Sequence, residues 1–324
     1  MLLAVISSRV ILYKYWLRVI STMPKHFLSI TDLTKDELTK VLARAADLQR
    51  GAKSVQGTNP KFALIFQKPS LRTKVSFTVA IAELGGHATF FGPEEIGLGS
   101  RESVKDIAKT LERYVDCIIA RVYKHETLVE LASVASEPIV NALSDLEHPC
   151  QTVGDLLTIQ EYQGSLQGSS IAFIGDGNNV ASSLAMGCAL MDIKFTLVCP
   201  KGYELPKAIV QSIENIAGVS IGSITTTQDL QATVASSDVI YTDVWISMGS
   251  EAETNQRLQD FQEFQVTNSL LDTAKKETIF MHCMPAQPSR EIEAGILDHP
   301  KSVVYRQAEN RLYAQQSILE LILK

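Results

Sequence analysis

The sequence predicts an α/β protein with two doubly wound domains, each with a mainly parallel sheet flanked by helices. Three observations support this prediction. Apolar runs of strand length alternate with segments of helical periodicity along the chain. The length of 324 residues suits two cores better than one. The polar, glycine-containing segment "YQGSLQGSS" separates two series of elements and predicts a domain boundary near residue 165.

Strands and helices are predicted in regular alternation. The strands are predicted at 62–66, 89–91, 117–120, 171–174, 195–199, 239–242, 278–281 and 303–305. The helices are predicted at 75–84, 103–114, 125–135, 152–162, 180–191 and 206–216. Strands that are connected through helices form parallel sheets, which bind ligands at the carboxyl ends of their strands and in the cleft between domains. We therefore expect the active site in an interdomain cleft.

Composition and charge exclude several classes of protein. Hydrophobic residues make up 45% of the chain and charged residues 20%, which indicates sizeable buried cores rather than disorder. The formal net charge of -6 argues against a nucleic-acid partner. The five cysteines are odd in number and form no C-x-x-C pair, so a disulfide framework is not expected and a reducing compartment is favoured.

Residues 1–22 form an extension that contains three cations and no acid; the first acidic residue is Asp32. Two interpretations stay open. The extension is a transit peptide or membrane-surface segment, or it results from a start assigned upstream of Met23; we favour the second. Cations interrupt it too often for a spanning helix, so no membrane partner is expected. The predicted location is the cytoplasm, or the mitochondrial matrix if the extension is a transit peptide.

The stretch "FQKPSLRTKVSF" places hydroxyls and cations where the first strand leads into a helix. The first turn of a helix has free N–H groups and the positive end of the helix dipole, and phosphate binds there readily. Ser70 and Thr73 add hydroxyl groups, and Arg72 adds a bidentate fork. The alternative is that Ser70 is only an N-cap and that the cations are solvated.

The stretch "IAFIGDGNNV" has the appearance of a dinucleotide fingerprint, but two features argue against that interpretation. Val180 occupies the third glycine position, and Pro200 rather than an acid follows the next strand. NAD binding is therefore rejected. Asn178 and Asn179 remain as amides at a strand end, suited to holding a carboxylate or a carbonyl.

The stretch "EHPCQ" places His148 and Gln151 on one face at the start of a helix. A neutral imidazole and an amide can both form hydrogen bonds with a small carbonyl group, although His148 could simply cap the helix. A zinc site is not predicted, because the spacing of the available ligands matches no common pattern. Those ligands are His148, Cys150, His282 and Cys283.

Two further strand ends carry polar groups. "YTDVWISMG" places Asp243, Ser247 and Met248 in one loop, and "IFMHCMPA" ends a strand with His282 and Cys283. A cysteine at this position is either an inert core thiol, which is the usual case, or a polarised group in the cleft.

Taken together, the motifs "SLRTK", "HPCQ", "GDGNN", "DVWISMG", "HCMP" and "ENR" occur in this order at the ends of predicted elements. In this combination the chain resembles the aspartate/ornithine carbamoyltransferase family, and its ornithine branch in particular, from about residue 23 to residue 324. The resemblance implies a carbamoyl phosphate domain at 23–165, an ornithine domain at 166–307 and a terminal helix at 308–324 that packs back onto the first domain.

The resemblance implies roles for individual residues. Those implied to bind carbamoyl phosphate are Ser70, Leu71, Arg72, Thr73, Arg121, His148, Gln151, Cys283, Met284 and Arg311. Those implied to bind ornithine are Asn179, Asp243, Ser247 and Met248. Those implied to act in catalysis are Cys283, Arg121, His148 and Asp243. The implied reaction transfers a carbamoyl group to the δ-amine of L-ornithine, giving L-citrulline and phosphate, without a cofactor or metal. It belongs to arginine metabolism.

The chain departs from the family pattern at three positions. Lys74 stands where arginine is frequent, Val122 where threonine is common, and Gly97 near the place of a glutamine that reaches the neighbouring subunit's site. The resemblance implies a homotrimer. Two alternatives stay open: a sibling enzyme acting on putrescine or an N-acylated ornithine, and a non-catalytic carbamoyltransferase-like binding protein.

Overall fold

A computed structural model describes residues 26–54, 59–216, 223–247 and 251–323. The predictions for the extension at 1–22 and for Met248 lie outside these ranges.

The first sheet has four parallel strands in the order β2-β1-β3-β4. The strands are β1 (Lys61–Phe66), β2 (His87–Phe91), β3 (Cys117–Arg121) and β4 (Ile139–Leu143). The second sheet has five parallel strands in the order β7-β6-β5-β8-β9. They are β5 (Ser170–Ile174), β6 (Lys194–Val198), β7 (Ile224–Thr227), β8 (Val239–Thr242) and β9 (Ile279–His282).

Helices connect the strands within each sheet. The helices that come before β5 in the chain are α1 (Lys35–Gln49), α2 (Leu71–Glu83), α3 (Pro93–Ile96), α4 (Val104–Leu111), α5 (His125–Val134) and α6 (Pro149–Gln163). The helices that come after β5 are α7 (Asn179–Leu190), α8 (Lys207–Glu214), α9 (Leu230–Ser236), α10 (Thr254–Asp260), α11 (Asn268–Asp272) and α12 (Val304–Ile322). Short 3₁₀ turns occupy Ile30–Asp32, Glu251–Glu253, Gln262–Phe264 and Ile296–Asp298. The predicted fold class of two parallel, helix-flanked sheets is confirmed.

The strand predictions are confirmed except at the end of the chain. The segment predicted as a strand at 303–305 instead leads into the first turn of α12, because three apolar residues are too few to separate a strand period from a helix period. Two strands were not predicted. In β4, which is buried, Asn141 interrupts the apolar run of the sequence, and its side chain donates to the Leu28 carbonyl. In β7, which lies at the edge of the sheet, three of the four residues are threonine, so no apolar run is visible.

The terminal helix α12 follows the second sheet but packs on α6, α1 and α2. Gly154 permits its close approach to α6, because a Cβ at that position would lie 3.0 Å from the Cα of Arg311. The packing of α12 therefore brings a residue from the end of the chain to the first sheet. In the described ranges, every helix is too short or too polar to cross a bilayer. The boundary near residue 165 stays a prediction.

Candidate active site

A cleft of about 580 Å³ lies at the carboxyl ends of both sheets. Its lining comes from the segments that follow β1, β3 and β4 on one side and β5, β8 and β9 on the other. Parallel strands present their carboxyl ends at one edge, so residues that are far apart in the chain meet there. The predicted site residues that line the cleft are Ser70, Leu71, Arg72, Thr73, Arg121, His148, Asn179, Asp243, Ser247, Cys283, Met284 and Arg311.

The start of α2 forms one wall of the cleft. Ser70 has an extended backbone and caps the helix, since its Oγ accepts a hydrogen bond of 3.4 Å from the Thr73 amide. The Oγ atom of Ser70 also lies 2.9 Å from Oγ1 of Thr73. Capping and lining the cleft are therefore compatible, and the cap interpretation does not exclude an anion site. Lys74 does not belong to the lining, and its Nζ lies 3.5 Å from the centroid of the Phe90 ring.

Three guanidinium groups gather on this side of the cleft. Burial, together with the charges of Arg311 and Arg72, lowers the pKa of Arg121 to about 10. Burial also lowers the pKa of Arg311, and the charge of Arg72 acts in the same direction. Nε of Arg121 is buried without a hydrogen-bond partner among the described residues. Like charges brought together out of water, with an unused donor, fit an anionic ligand that would compensate them.

His148 stands immediately before α6 and makes no side-chain capping bond. Burial, followed by the charges of Arg311 and Arg121, lowers its pKa well below the usual value, so the imidazole is neutral at physiological pH. Its Nδ1 is buried and unpaired within the described part of the chain. Gln151 lies behind the cleft rather than in its lining, and its Oε1 accepts a hydrogen bond of 3.0 Å from Nη1 of Arg311.

The opposite wall carries an acid, two amides and a thiol. Asp243 accepts hydrogen bonds from Nδ2 of Asn178 at 2.8 Å and from Sγ of Cys283 at 3.0 Å. Burial and the nearby Asp243 raise the pKa of Cys283, so it remains a thiol and acts as a donor. Asn178 also donates to Oγ of Ser247 at 3.2 Å. Asn179 reaches back to the first half of the chain and donates to the Ser144 carbonyl at 2.7 Å.

Sequence reasoning did not select several residues of the lining. They are Lys68, Pro69, Leu143, Asp145, Asp176, Val180, Val244, Ile246, Pro285 and Gln287. Asn178, which the sequence did single out as a strand-end amide, also lines the cleft; its Oδ1 caps α7 while its Nδ2 donates to Asp243. Its place directly before a helix is a capping position, a role that was not predicted for it.

Asp243, His282 and Cys283 offer three potential metal-ligand atoms within 4.8 Å of one another. Each of these groups already has a hydrogen bond. Nδ1 of His282 accepts from the Met284 amide at 2.9 Å, and its Nε2 lies 3.2 Å from Glu291. The Cys283 thiol donates to Asp243, as described above. The trio is therefore satisfied as a hydrogen-bonded cluster.

A cationic wall that faces an acid-and-amide wall is typical of an enzyme site that suits two small ligands of opposite charge. Two family models match the chain: "Aspartate/ornithine carbamoyltransferase, carbamoyl-P binding domain" at residues 25–161, and "Aspartate/ornithine carbamoyltransferase, Asp/Orn binding domain" at residues 167–322. The chain belongs to the aspartate/ornithine carbamoyltransferase family, which confirms the family predicted from its motifs.

Known relatives agree with this assignment. The ornithine carbamoyltransferase of Methanosarcina acetivorans is 44% identical over 301 residues, covering 92% of this chain and 98% of the relative. That of Bacillus subtilis is 43% identical over 299 residues, covering 92% and 94%. The solved ornithine carbamoyltransferase of Pyrococcus furiosus superposes with a TM-score of 0.86 at 41% identity, covering 93% of this chain and 97% of the other.

Proposed function

We propose that this chain transfers the carbamoyl group of carbamoyl phosphate to the δ-amine of L-ornithine, giving L-citrulline and phosphate. The observation that carries this proposal is the placement of Arg72, Arg121 and Arg311 across one cleft from Asp243 and Cys283. The relatives named ornithine carbamoyltransferase, at 42–44% identity, support the same reaction over the two alternatives predicted from sequence.

Carbamoyl phosphate would bind at the cationic wall. The backbone amides and hydroxyls at residues 70–73 surround the phosphate in this proposal, and the guanidinium groups of Arg72, Arg121 and Arg311 compensate its charge. His148, as a neutral imidazole, and Met284 would contact the carbamoyl group. Gln151 would act through Arg311, because it lies behind that residue.

Ornithine would bind at the opposite wall. Asp243 accepts from the ammonium or amine groups of the substrate, and Cys283 donates to Asp243 and keeps its carboxylate oriented. Asn179 and Ser247 lie at the same end of the cleft and suit the α-carboxylate and α-amine. Met248, which was predicted to join them, lies outside the described residues.

The reaction needs orientation and charge stabilisation rather than a covalent intermediate. The neutral δ-amine attacks the carbamoyl carbon, a C–N bond forms, and the C–O bond to phosphate breaks. The amine gives up one proton and the leaving phosphate takes up one, so the charges balance. Arg121 and His148 stabilise the negative charge that develops on the carbonyl oxygen, and the cationic wall stabilises the leaving phosphate.

We also propose that copies of this chain assemble, as a homotrimer. Leu71, Val75 and Val79 form a stripe along α2 and are 74%, 51% and 38% exposed. An apolar stripe of this kind suits a contact between subunits. Gly97 has φ +50, and a Cβ there would lie 2.6 Å from Cβ of Arg101, so the loop would need to rearrange to hold a glutamine at this position.

The division into a carbamoyl phosphate domain at 23–165 and an ornithine domain at 166–307 is part of the same proposal. It is supported by the separation of the two sheets along the chain. The proposed location is the cytoplasm, supported by the absence of disulfides among the five cysteines, all of which are described and free. The mitochondrial matrix is the alternative if residues 1–22 act as a transit peptide.

The test is an assay with isotope-labelled carbamoyl phosphate and a panel of amines: ornithine, putrescine, N-acetylornithine, lysine and aspartate. We expect labelled citrulline from ornithine and a far lower kcat/KM for every other amine. Equal use of putrescine or N-acetylornithine would indicate the sibling enzyme. Binding of carbamoyl phosphate without any turnover would indicate the non-catalytic alternative.

A further inference from the structure

A fully buried carboxylate lies outside the lining of the cleft, is hydrogen-bonded to residues that lead to both of its walls, and has no part in the mechanism above. Asp155 belongs to α6 and is 0% exposed. Its Oδ1 accepts hydrogen bonds from Nε2 of Gln151 at 2.8 Å and from Nε2 of Gln307 at 2.7 Å. Its Oδ2 accepts from the Tyr241 hydroxyl at 3.1 Å. The group therefore joins α6 to α12 and to β8.

An ionised carboxylate only accepts hydrogen bonds, so it determines which way each neighbouring amide faces. Both glutamines must turn their NH₂ groups toward Asp155 and their oxygens away from it. The oxygen of Gln151 then accepts from Nη1 of Arg311 at 3.0 Å. The oxygen of Gln307 accepts from the backbone amide of His282 at 2.8 Å.

The two amides lead to opposite walls of the cleft. Arg311 belongs to the cationic wall, where it also donates to Oγ1 of Thr73 at 3.3 Å. His282 is the last residue of β9 and directly precedes Cys283, whose thiol donates to Asp243. One buried acid is therefore linked, through one amide on each side, to both proposed substrate sites.

Packing alone does not explain an acid at this position. Burial raises the pKa of Asp155 to about 6, so the group is ionised at neutral pH at a cost in folding free energy. Apolar side chains often replace buried charged groups without loss of stability. A charged group that is retained at such a cost, with each oxygen facing a donor, has a role in orienting its neighbours.

We propose that Asp155 is a positioning residue that aligns the two substrate sites, because it orients Gln151 toward Arg311 and Gln307 toward the end of β9. This inference rests on the proposed function. Asp155 touches neither substrate and acts through the two amides.

The test compares two substitutions of Asp155 in the full-length protein. Asp155→Ala removes both acceptor atoms and leaves the amides free to turn. Asp155→Asn keeps the shape and retains one oxygen for the position of Oδ1, which both glutamines contact. We expect Asp155→Ala to lower kcat at least about 10-fold and to raise KM for both substrates, since a misplacement of about 1 Å costs on the order of 100-fold. Asp155→Asn should recover most of the lost kcat.

Thr158→Val is the matched control. Thr158 is also buried in α6, and its hydroxyl accepts from Nδ2 of Asn310 in α12 at 3.1 Å, so this change weakens the same helix contact away from both substrates. We expect lower thermal stability with kcat and both KM values near wild type. A kinetic loss in Asp155→Ala no larger than that in Thr158→Val, no recovery in Asp155→Asn, or an effect on one substrate only would overturn the proposal.

A second variant keeps the proposal testable if Asp155→Ala does not fold. Gln307→Leu removes the link to β9 and the contact of Gln307 with the Tyr241 hydroxyl, but it leaves the link from Asp155 through Gln151 to Arg311 in place. We therefore expect a raised KM for ornithine with an unchanged KM for carbamoyl phosphate. Equal changes in both KM values, or in neither, would contradict the inference. A wild-type protein that does not carbamoylate ornithine would instead contradict the proposed function.

Discussion

At the scale of single residues, the cleft controls the protonation state of its side chains through burial and neighbouring charge. His148 is held neutral beside two guanidinium groups, and Cys283 is held as a thiol beside Asp243. A protonated thiol is a poor nucleophile, which agrees with direct attack by the substrate amine. These states follow from tertiary contacts that bring together residues distant in sequence.

Arg72→Ala should reduce turnover without unfolding the protein. Arg72 lies at the start of α2 and lines the cleft, so its charge serves the ligand rather than the core. Loss of a charge-assisted bidentate contact should cost about 3 kcal/mol of transition-state binding. Steady-state kinetics and circular dichroism would measure both effects, with the exposed Arg113 changed to alanine as the control. Near-normal kcat/KM in Arg72→Ala would refute the phosphate assignment.

Asp243→Asn should weaken the use of ornithine far more than the binding of carbamoyl phosphate. The substitution removes the negative charge that would face an ammonium group of ornithine. The NH₂ group of the new asparagine must also face a hydrogen-bond donor, either Nδ2 of Asn178 or Sγ of Cys283. Calorimetric titration with carbamoyl phosphate and kinetics with ornithine would separate the two effects. Asp272→Asn, an exposed acid on α11, is the control. Equal losses for both substrates would argue against the ornithine assignment.

Glu147→Gln should flatten the pH dependence of stability. Burial raises the pKa of Glu147 from 4.5 to about 7, although Ile30 and Ser183 donate hydrogen bonds to its carboxylate. Because the folded-state pKa is raised, the contribution to stability is complete below about pH 4.5 and is lost as pH rises to about 7. The loss is on the order of 3 kcal/mol.

Urea denaturation of wild type and Glu147→Gln across this pH range would test that prediction. Other titrating groups, such as Asp155, are shared by both proteins and cancel in the difference between them. The free-energy difference between variant and wild type should shift in favour of the variant as pH rises. A difference that does not change with pH would show that Glu147 keeps a normal pKa in the folded state.

At the scale of elements, α2 combines two roles. Its first turn lines the cleft, and its outer face carries the apolar stripe of Leu71, Val75 and Val79. Leu71 belongs to both surfaces, so the cleft and the proposed subunit contact are adjacent. A contact on this face would shield the entrance to the anion site from water.

Val75→Lys should disrupt assembly while leaving the fold intact. A lysine in the middle of the stripe would place an unpaired charge in the proposed contact. Light scattering would measure the molar mass, and circular dichroism the fold. Val210→Lys is the matched control, because Val210 is 41% exposed on α8, away from the stripe. An unchanged mass in Val75→Lys, or a fully active wild-type monomer, would refute this contact.

At the scale of the whole molecule, α12 ties the two halves of the chain together. It begins after the second sheet, packs on three helices of the first half, and delivers Arg311 to the lining of the cleft and Gln307 to the region behind it. The position of this helix depends on how closely it can approach α6.

Gly154→Ala should lower both stability and kcat. In an unhindered helix this change stabilises by about 1 kcal/mol. Here the added Cβ would lie 3.0 Å from the backbone of Arg311, so α12 must move outward, and overpacking costs about 1–3 kcal/mol. Thermal melting and kinetics would measure the change. Gly92→Ala is the control, because a Cβ there meets its nearest neighbour at an ordinary 3.5 Å. A stabilised, fully active Gly154→Ala variant would contradict the argument.

The sequence by itself determined the fold class and the polar strand ends, because both are local properties. Alternating apolar runs and helical periodicity are visible in short windows, and the carboxyl ends of parallel strands converge by topology alone. Residues such as Arg72, Asp243 and Cys283 could therefore be named in advance. Prediction from local pattern was wrong at three places. The apolar run at 303–305 is too short to show a period, Asn141 interrupts the apolar run of β4, and β7 lies at the exposed edge of its sheet.

Only the tertiary structure decided how these residues work. Contacts between segments 65 to 160 positions apart determine three features of the site. Gln151 lies behind Arg311, Asn178 orients Asp243, and Asp155 is linked to both walls. The neutral state of His148 likewise arises from burial and from cations contributed by β3 and α12. Hydrogen-bond direction and desolvation depend on three-dimensional neighbours, and a linear pattern does not contain them.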